Sequence, residues 1–247
     1  MPKEKVILFD TTLRDGQQTQ GVDFSVQDKV NIANALDNIG IDYIEGGWPG
    51  ANPTDTKFFE NKNNFSKAKF TAFGMTKRSG RSADNDPQLR SLIDAHSDSV
   101  CLVAKTWDFH VDLALGISLE ENVEAIKDSV LSVKASGKEA LIDCEHFFDG
   151  YKSNSEFSFK CIEAALESGA EWVVLCDTNG GTLPNEIFNI VNEIIKKFPG
   201  DKIGIHCHND TENAVANSLA AIDAGARHLQ GTCLLYTSDA ADDFTSV

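Results

Sequence analysis

The 247-residue chain lacks several features that would assign it at once. It has no run of eighteen apolar residues, so no membrane-spanning helix is expected. Positive charge is scarce: 22 Lys and Arg stand against 38 Asp and Glu, for a formal net charge of −16. That balance argues against nucleic acid and against anionic membrane surfaces as partners. The six cysteines, Cys101, Cys144, Cys161, Cys176, Cys207 and Cys233, include no C-x-x-C pair. Four of them, Cys101, Cys144, Cys176 and Cys207, fall in strand-like runs, where a free thiol behaves as a small apolar group. A reduced, cytoplasmic compartment is therefore expected. The opening Met1-Pro2-Lys3-Glu4-Lys5 lacks the apolar core of a secretory signal. No G-x-G-x-x-G follows the first strand-like run, which counts against an open dinucleotide-binding sheet.

What is present is a steady alternation of strand and helix patterns. Strands are expected at 6–10, 41–46, 70–75, 100–105, 140–147, 172–178, 203–208 and 226–232. Helices are expected at about 25–38, 54–63, 87–95, 118–137, 155–167, 184–198 and 212–224. In the first helix Val26, Val30, Ala33, Leu36 and Ile39 form an apolar stripe at helical spacing, and Ser25 is its cap. A weak repeat runs through Gly40-Ile41-Asp42-Tyr43-Ile44, Gly169-Ala170-Glu171-Trp172-Val173 and Gly225-Ala226-Arg227-His228-Leu229. In each, a glycine ends a helix and a buried strand follows after a short turn. Each β-α unit takes roughly 30 residues, the size of one parallel crossover. Eight such units predict an α/β fold, a (β/α)8 TIM barrel, incomplete at the eighth β/α unit.

The active site of such a barrel lies at the C-terminal ends of its strands. The polar residues gather there: Asp10, Arg14 and Asp15 after the first strand, Glu45 after the second, Lys105 after the fourth, Glu145 and His146 in the fifth, Asp177 and Thr178 at the sixth, His206 and His208 in the seventh. His206 and His208 are two apart on one strand, so their side chains share a face. With Asp15 they offer three ligands for a catalytic divalent metal, unless His-x-His is chance and both rings simply hydrogen-bond within the barrel. Arg14 is either an ion-pair partner for Glu45 or Glu145, or a fixed cation that stabilises a developing oxyanion or enolate. Thr178 is either a helix cap or a hydroxyl donor to a substrate carboxylate. Glu145 either orients a neighbour or transfers protons. Asp210 is expected to cap the seventh helix. The loop Lys77-Arg78-Ser79-Gly80-Arg81 reads as a solvated basic patch, with contact to the phosphates of an anionic cofactor as the alternative.

Two stretches, Asp10-Thr11-Thr12-Leu13-Arg14-Asp15-Gly16-Gln17-Gln18 and His206-Cys207-His208-Asn209-Asp210, resemble the metal-dependent barrels of the isopropylmalate, homocitrate and citramalate synthase family. The likeness runs from about residue 5 to 232. Glu45-Gly46-Gly47-Trp48-Pro49-Gly50, Cys144-Glu145-His146-Phe147-Phe148-Asp149-Gly150 and Asp177-Thr178-Asn179-Gly180-Gly181 resemble the citramalate synthase branch. The resemblance implies condensation of acetyl-CoA with a small 2-keto acid, pyruvate in that branch, within isoleucine biosynthesis. It implies that Asp15, His206 and His208 hold a divalent metal ion (Zn, Mn, Mg or Co). It further implies that Arg14 stabilises charge at the reacting centre, that Thr178 holds the substrate carboxylate, and that Glu145 sits beside the reacting carbons. The full-length parent is expected to be a homodimer.

The chain departs from this pattern after the eighth strand. The family continues with a Gly-x-Gly-Glu-Arg-x-Gly-Asn type loop, which carries a further metal ligand and part of the acetyl-CoA site. Here residues 233–247 hold no glycine and no basic residue, and they are expected to be a non-native tail beyond a catalytic barrel of residues 1–232. Three readings compete with citramalate synthesis. They are 2-isopropylmalate synthase, with the choice of keto acid set near Phe73, Leu102 and Val103; an enzyme like hydroxymethylglutaryl-CoA lyase; and an inactive barrel fragment.

Overall fold

The computed structural model describes residues 5–60 and 65–233. Eight parallel strands close into a barrel in chain order: β1 (Ile7–Asp10), β2 (Tyr43–Gly47), β3 (Lys69–Met75), β4 (Ser99–Lys105), β5 (Glu139–Glu145), β6 (Trp172–Asp177), β7 (Ile203–Cys207) and β8 (His228–Gly231). Closure is made by β1 against β8, with Ile7 beside His228 and Asp10 beside Gly231. Outside lie α1 (Val26–Ile39), α2 (Pro53–Glu60), α3 (Pro87–Asp94), the short α4 (Asp108–His110), α5 (Leu119–Ala135), α6 (Phe147–Glu167), α7 (Pro184–Lys197) and α8 (Ala214–Ala224). Among the described residues no helix is long and apolar enough to cross a membrane.

The elements form for local reasons. The Ser25 hydroxyl accepts from the Asp28 amide while the Asp28 carboxylate accepts from the Ser25 amide, a reciprocal cap that starts α1. Ser118 and Glu121 do the same for α5. Gly40, Gly169 and Gly225, the three turn glycines of the sequence repeat, have φ of 93°, 93° and 120°. That is the left-handed region where a Cβ is costly and a helix can reverse into a strand.

Strand alternation builds two cores. Outward-facing residues such as Ile44, Phe70, Leu102, Ile142, Leu175 and Ile205 pack under the helices. Inward-facing Phe9, Tyr43, Phe73, Cys101, Leu141, Trp172, Val174 and Cys176 fill the barrel. This alternation corrects one expectation. Leu102 points to the helices, while Phe73 and Val103 belong to the barrel interior.

Several boundaries also shift. β5 ends at Glu145, and α6 begins at Phe147 rather than near 155. Non-helical dihedrals at Asn154 mark a kink where the sequence pattern suggested the start. α8 begins at Ala214, two residues later than expected, after Glu212 takes a positive φ. On α1 the stripe is rotated: Ile39 is 74% exposed, and Lys29 is fully buried in its place. The second helix is described only to Glu60, so its expected end at Asn63 lies outside the described residues. The expected foreign tail lies there too, except for Cys233, whose amide donates to Thr12 Oγ1 at 2.8 Å. Leu8, on the outer face of β1, is 41% exposed, and among the described residues no helix follows β8.

Candidate metal centre and active site

The loop after β1 turns back on Thr11, whose carbonyl accepts from the amides of Arg14, Asp15 and Gly16. That tight turn aims Arg14 and Asp15 into the barrel mouth. β7 delivers His206 to the same place, and His208 follows one pleat further on. Donor atoms of Asp15, His206 and His208 all lie within 4.8 Å of one another. His206 Nε2 is 3.4 Å from Asp15 Oδ2, and the two rings lie 5.1 Å apart. A small pocket of about 40 Å³ opens over them, lined also by Cys207, Gly231 and Thr232.

The protonation pattern suits a cation. Burial would raise the Asp15 carboxyl, but Arg14 and His206 outweigh it and hold the group well below the usual carboxylate range. Burial and the neighbouring His206 push His208 down to about 4, so its ring nitrogen keeps a lone pair at neutral pH. Burial also works against charge on His206, yet Asp15 and Asp143 lift it to about 9. Two imidazoles and one carboxylate fit a divalent ion that keeps open positions.

Arg14 makes the ion pair with Glu45 that one sequence reading expected. Its Nε donates to Glu45 Oε2 at 2.6 Å and its Nη1 to Asp15 Oδ1 at 3.1 Å. Its guanidinium lies 3.8 Å from the centre of the Phe73 ring, which Trp48 meets edge-on at 5.8 Å. Glu45 is wholly buried, and one of its oxygens has no hydrogen-bond partner among the described residues. Burial, opposed by Arg14 and aided by Asp143, raises it to about 7.

A lysine that patterning alone did not find pins this corner. Lys29 Nζ reaches from α1 to the carbonyls of Leu13 at 2.8 Å and Gly46 at 3.0 Å, and pairs with Asp55. Those carbonyls precede Arg14 and follow Glu45. The β2–β3 register slips between Glu45 and Gly47, so the Lys29 contact holds the irregular stretch beside Glu45. Asp55 also accepts from the Trp48 amide at 2.8 Å.

The remaining expected site residues have partners of their own. Glu145 is not part of the Asp15, His206 and His208 trio; it pairs with Lys105 on the neighbouring strand. Thr178 caps no helix: its Oγ1 accepts from the His146 amide at 2.8 Å, which leaves its own O–H to donate. His146 holds that amide in place with φ of 51°, a left-handed conformation that costs a non-glycine residue about 1–2 kcal/mol. Asp10 and Asp177 are held by local partners. Asp10 accepts from Thr12 at 2.9 and 3.0 Å, and Asp177 from Thr182 at 2.8 Å. At the start of α8, the Ala214 amide donates to Asn209 Oδ1 at 3.1 Å. Arg78 and Arg81 are exposed, as a solvated loop would have them.

Comparison with known proteins agrees with this geometry. The chain is 54% identical over 231 residues to the (R)-citramalate synthase of Aquifex aeolicus, covering 93% of this chain and 44% of the relative. It is 34% identical to the 2-isopropylmalate synthase of Sulfolobus acidocaldarius, covering 93% of this chain and 57% of the relative. It thus spans less than half the length of the curated citramalate synthases it matches. The HMG-CoA lyase of Bacillus subtilis superposes with a TM-score of 0.79 at 20% identity, over 94% of this chain and 78% of that one, which shows a shared fold. The HMGL-like family model matches residues 5–234, nearly all of the barrel and every residue of the site, and the chain belongs to that family.

Proposed function

We propose that this chain is the catalytic barrel of an acyltransferase that condenses acetyl-CoA with a 2-keto acid, pyruvate, to give (R)-citramalate. The observation that carries this reading is the convergence of Arg14, Asp15, His206 and His208 at one barrel mouth, in a chain 54% identical to a citramalate synthase. In this reading Asp15, His206 and His208 hold a divalent ion, which when bound supplies Lewis acidity to the keto oxygen. Arg14 presents a fixed guanidinium, anchored by Glu45 and Asp15, to the negative charge that develops on oxygen. The Thr178 hydroxyl, oriented by the His146 amide, donates to the pyruvate carboxylate. Glu145, paired with Lys105, lies beside the reacting carbons and is the carboxylate available to a proton there. Phe73 and Trp48, next to Arg14, form an apolar wall for the methyl group of the keto acid. The protein acts in the cytoplasm, in the supply of isoleucine precursors.

The test is CoA-thiol release with acetyl-CoA, a divalent metal salt and one keto acid at a time, with Asp15→Asn alongside. Release with pyruvate, lost in Asp15→Asn, is expected. Release only with 2-oxoisovalerate would move the reading to isopropylmalate synthesis. Cleavage of hydroxymethylglutaryl-CoA without a keto acid would replace it with a lyase. The same assay on a chain extended with the family's Gly-x-Gly-Glu-Arg loop separates a missing segment from a wrong function.

A further inference from the structure

Behind His206 a line of buried polar groups crosses the barrel. His206 Nδ1 lies 2.7 Å from Gln230 Oε1, and Gln230 Nε2 donates to Asp143 Oδ1 at 2.8 Å. The three residues sit on β7, β8 and β5 and are 6%, 3% and 3% exposed. The Cys101 thiol also bonds Asp143 from β4. None of Gln230, Asp143 and Cys101 belongs to the Asp15, His206 and His208 trio.

We propose that Gln230, oriented by Asp143, is a positioning residue that makes His206 carry its proton on Nδ1 and so present the Nε2 lone pair to a divalent cation at Asp15 and His208. The argument is one of matching donors to acceptors. An amide offers an acceptor on one side and a donor on the other. Asp143 Oδ1 is an acceptor, so it takes the Nε2 side of the amide and turns Oε1 toward the imidazole. An imidazole nitrogen facing a carbonyl oxygen in a dry interior must be N–H, because two facing acceptors would leave both unpaired. Turning the amide over would set its oxygen against the Asp143 oxygen. Nδ1 is therefore the protonated nitrogen, and the neutral ring has its lone pair on Nε2, the nitrogen 3.4 Å from Asp15 Oδ2. Outer partners of this kind fix ring orientation and tautomer in metal sites. The contact that does it here comes from β8, the strand that closes the barrel against β1.

The proposal rests on the metal reading of Asp15, His206 and His208, and the experiment keeps the two apart. The full chain, labelled with 15N in its histidine rings, is examined by NMR with chelator and with Zn2+, and Zn2+ affinity is measured by competition with a chromophoric chelator. In the wild-type chain the His206 Nδ1 proton should be present in both states and exchange slowly with water. Gln230→Leu should lose that protection and bind Zn2+ about 10–100-fold more weakly. Asp143→Asn, whose amide can either donate or accept, frees Gln230 to turn; it should weaken binding too, although Asp143 touches no ligand atom. The proposal is overturned if Nδ1 carries no proton with Zn2+ bound, or if both variants keep the protected proton and wild-type affinity. It is equally overturned if they lose only resistance to denaturant while affinity holds. If the wild-type chain binds no Zn2+, the metal reading fails, and the loss or retention of Nδ1 exchange protection in Gln230→Leu with chelator still decides the role of Gln230.

Discussion

Acid should unfold this barrel through a histidine far from its mouth. His228 lies at the N-terminal end of β8, completely buried, with neither ring nitrogen hydrogen-bonded among the described residues. Its ring lies 5.4 Å from Phe9, 5.9 Å from Tyr43 and 5.0 Å from Trp172, centre to centre. Burial, with His206 adding to it and Asp42 opposing, pushes it down to about 3. An unfolded histidine titrates near 6.5, so the folded value is depressed and the unfolded chain takes up the proton first. The sign follows: the contribution is intact above about pH 6.5 and falls as the pH drops toward 3. Each unit within that window removes about 1.4 kcal/mol, so near pH 4.5 the loss is on the order of 2–3 kcal/mol, a large share of a typical domain's stability. The assay is urea unfolding at several pH values, with chelator present, for the wild-type chain and His228→Phe. The other titrating groups cancel in the difference between the two proteins. That difference should change by about 2–3 kcal/mol in favour of the variant between pH 7.5 and about 4.5. Parallel pH profiles would show that His228 is protonated inside the folded barrel or is not enclosed by these rings.

Other outcomes can be checked on the same protein. Lys29→Met leaves Asp55 and two carbonyls without their cation; a loss of about 3–5 kcal/mol in denaturant unfolding is expected, and a change under about 1 kcal/mol would mean that water replaces the ammonium. Asp15→Asn and His208→Ala should each abolish measurable Zn2+ binding by calorimetry while circular dichroism stays unchanged; retained binding by both would place the ion elsewhere. Gly150→Ala puts a Cβ 2.3 Å from the Thr106 carbonyl oxygen and 2.8 Å from Trp107 Cα, so it should lower stability by about 1–3 kcal/mol, read as a fall in thermal midpoint. Phe73→Ala removes the face under Arg14 and should raise KM for the keto acid more than it lowers kcat; an unchanged KM would detach Phe73 from the substrate pocket.

Much of this protein is written in local pattern. Strand and helix periods, reciprocal caps at Ser25 and Ser118, and the turn glycines 40, 169 and 225 set the order and kind of elements, because each depends on residues a few positions apart. The two motifs at strand ends named Arg14, Asp15, His206 and His208, because a barrel gathers such ends at one mouth. What local pattern could not supply depends on closure. Whether Leu102 or Val103 faces the interior is set by pleat and register across several strands. So is the burial of Lys29, which follows from a carbonyl exposed by a slip between β2 and β3. The pairing of Glu145 with Lys105 is set by the β4–β5 register. Gln230 meets His206 across 24 residues of chain and Asp143 across 87, and His228 meets Phe9 only where β8 joins β1. The sequence by itself determined which elements form and which strand ends gather the polar groups. Only the closed barrel decided which polar groups lie buried together, because that proximity exists only once distant strands share one interior.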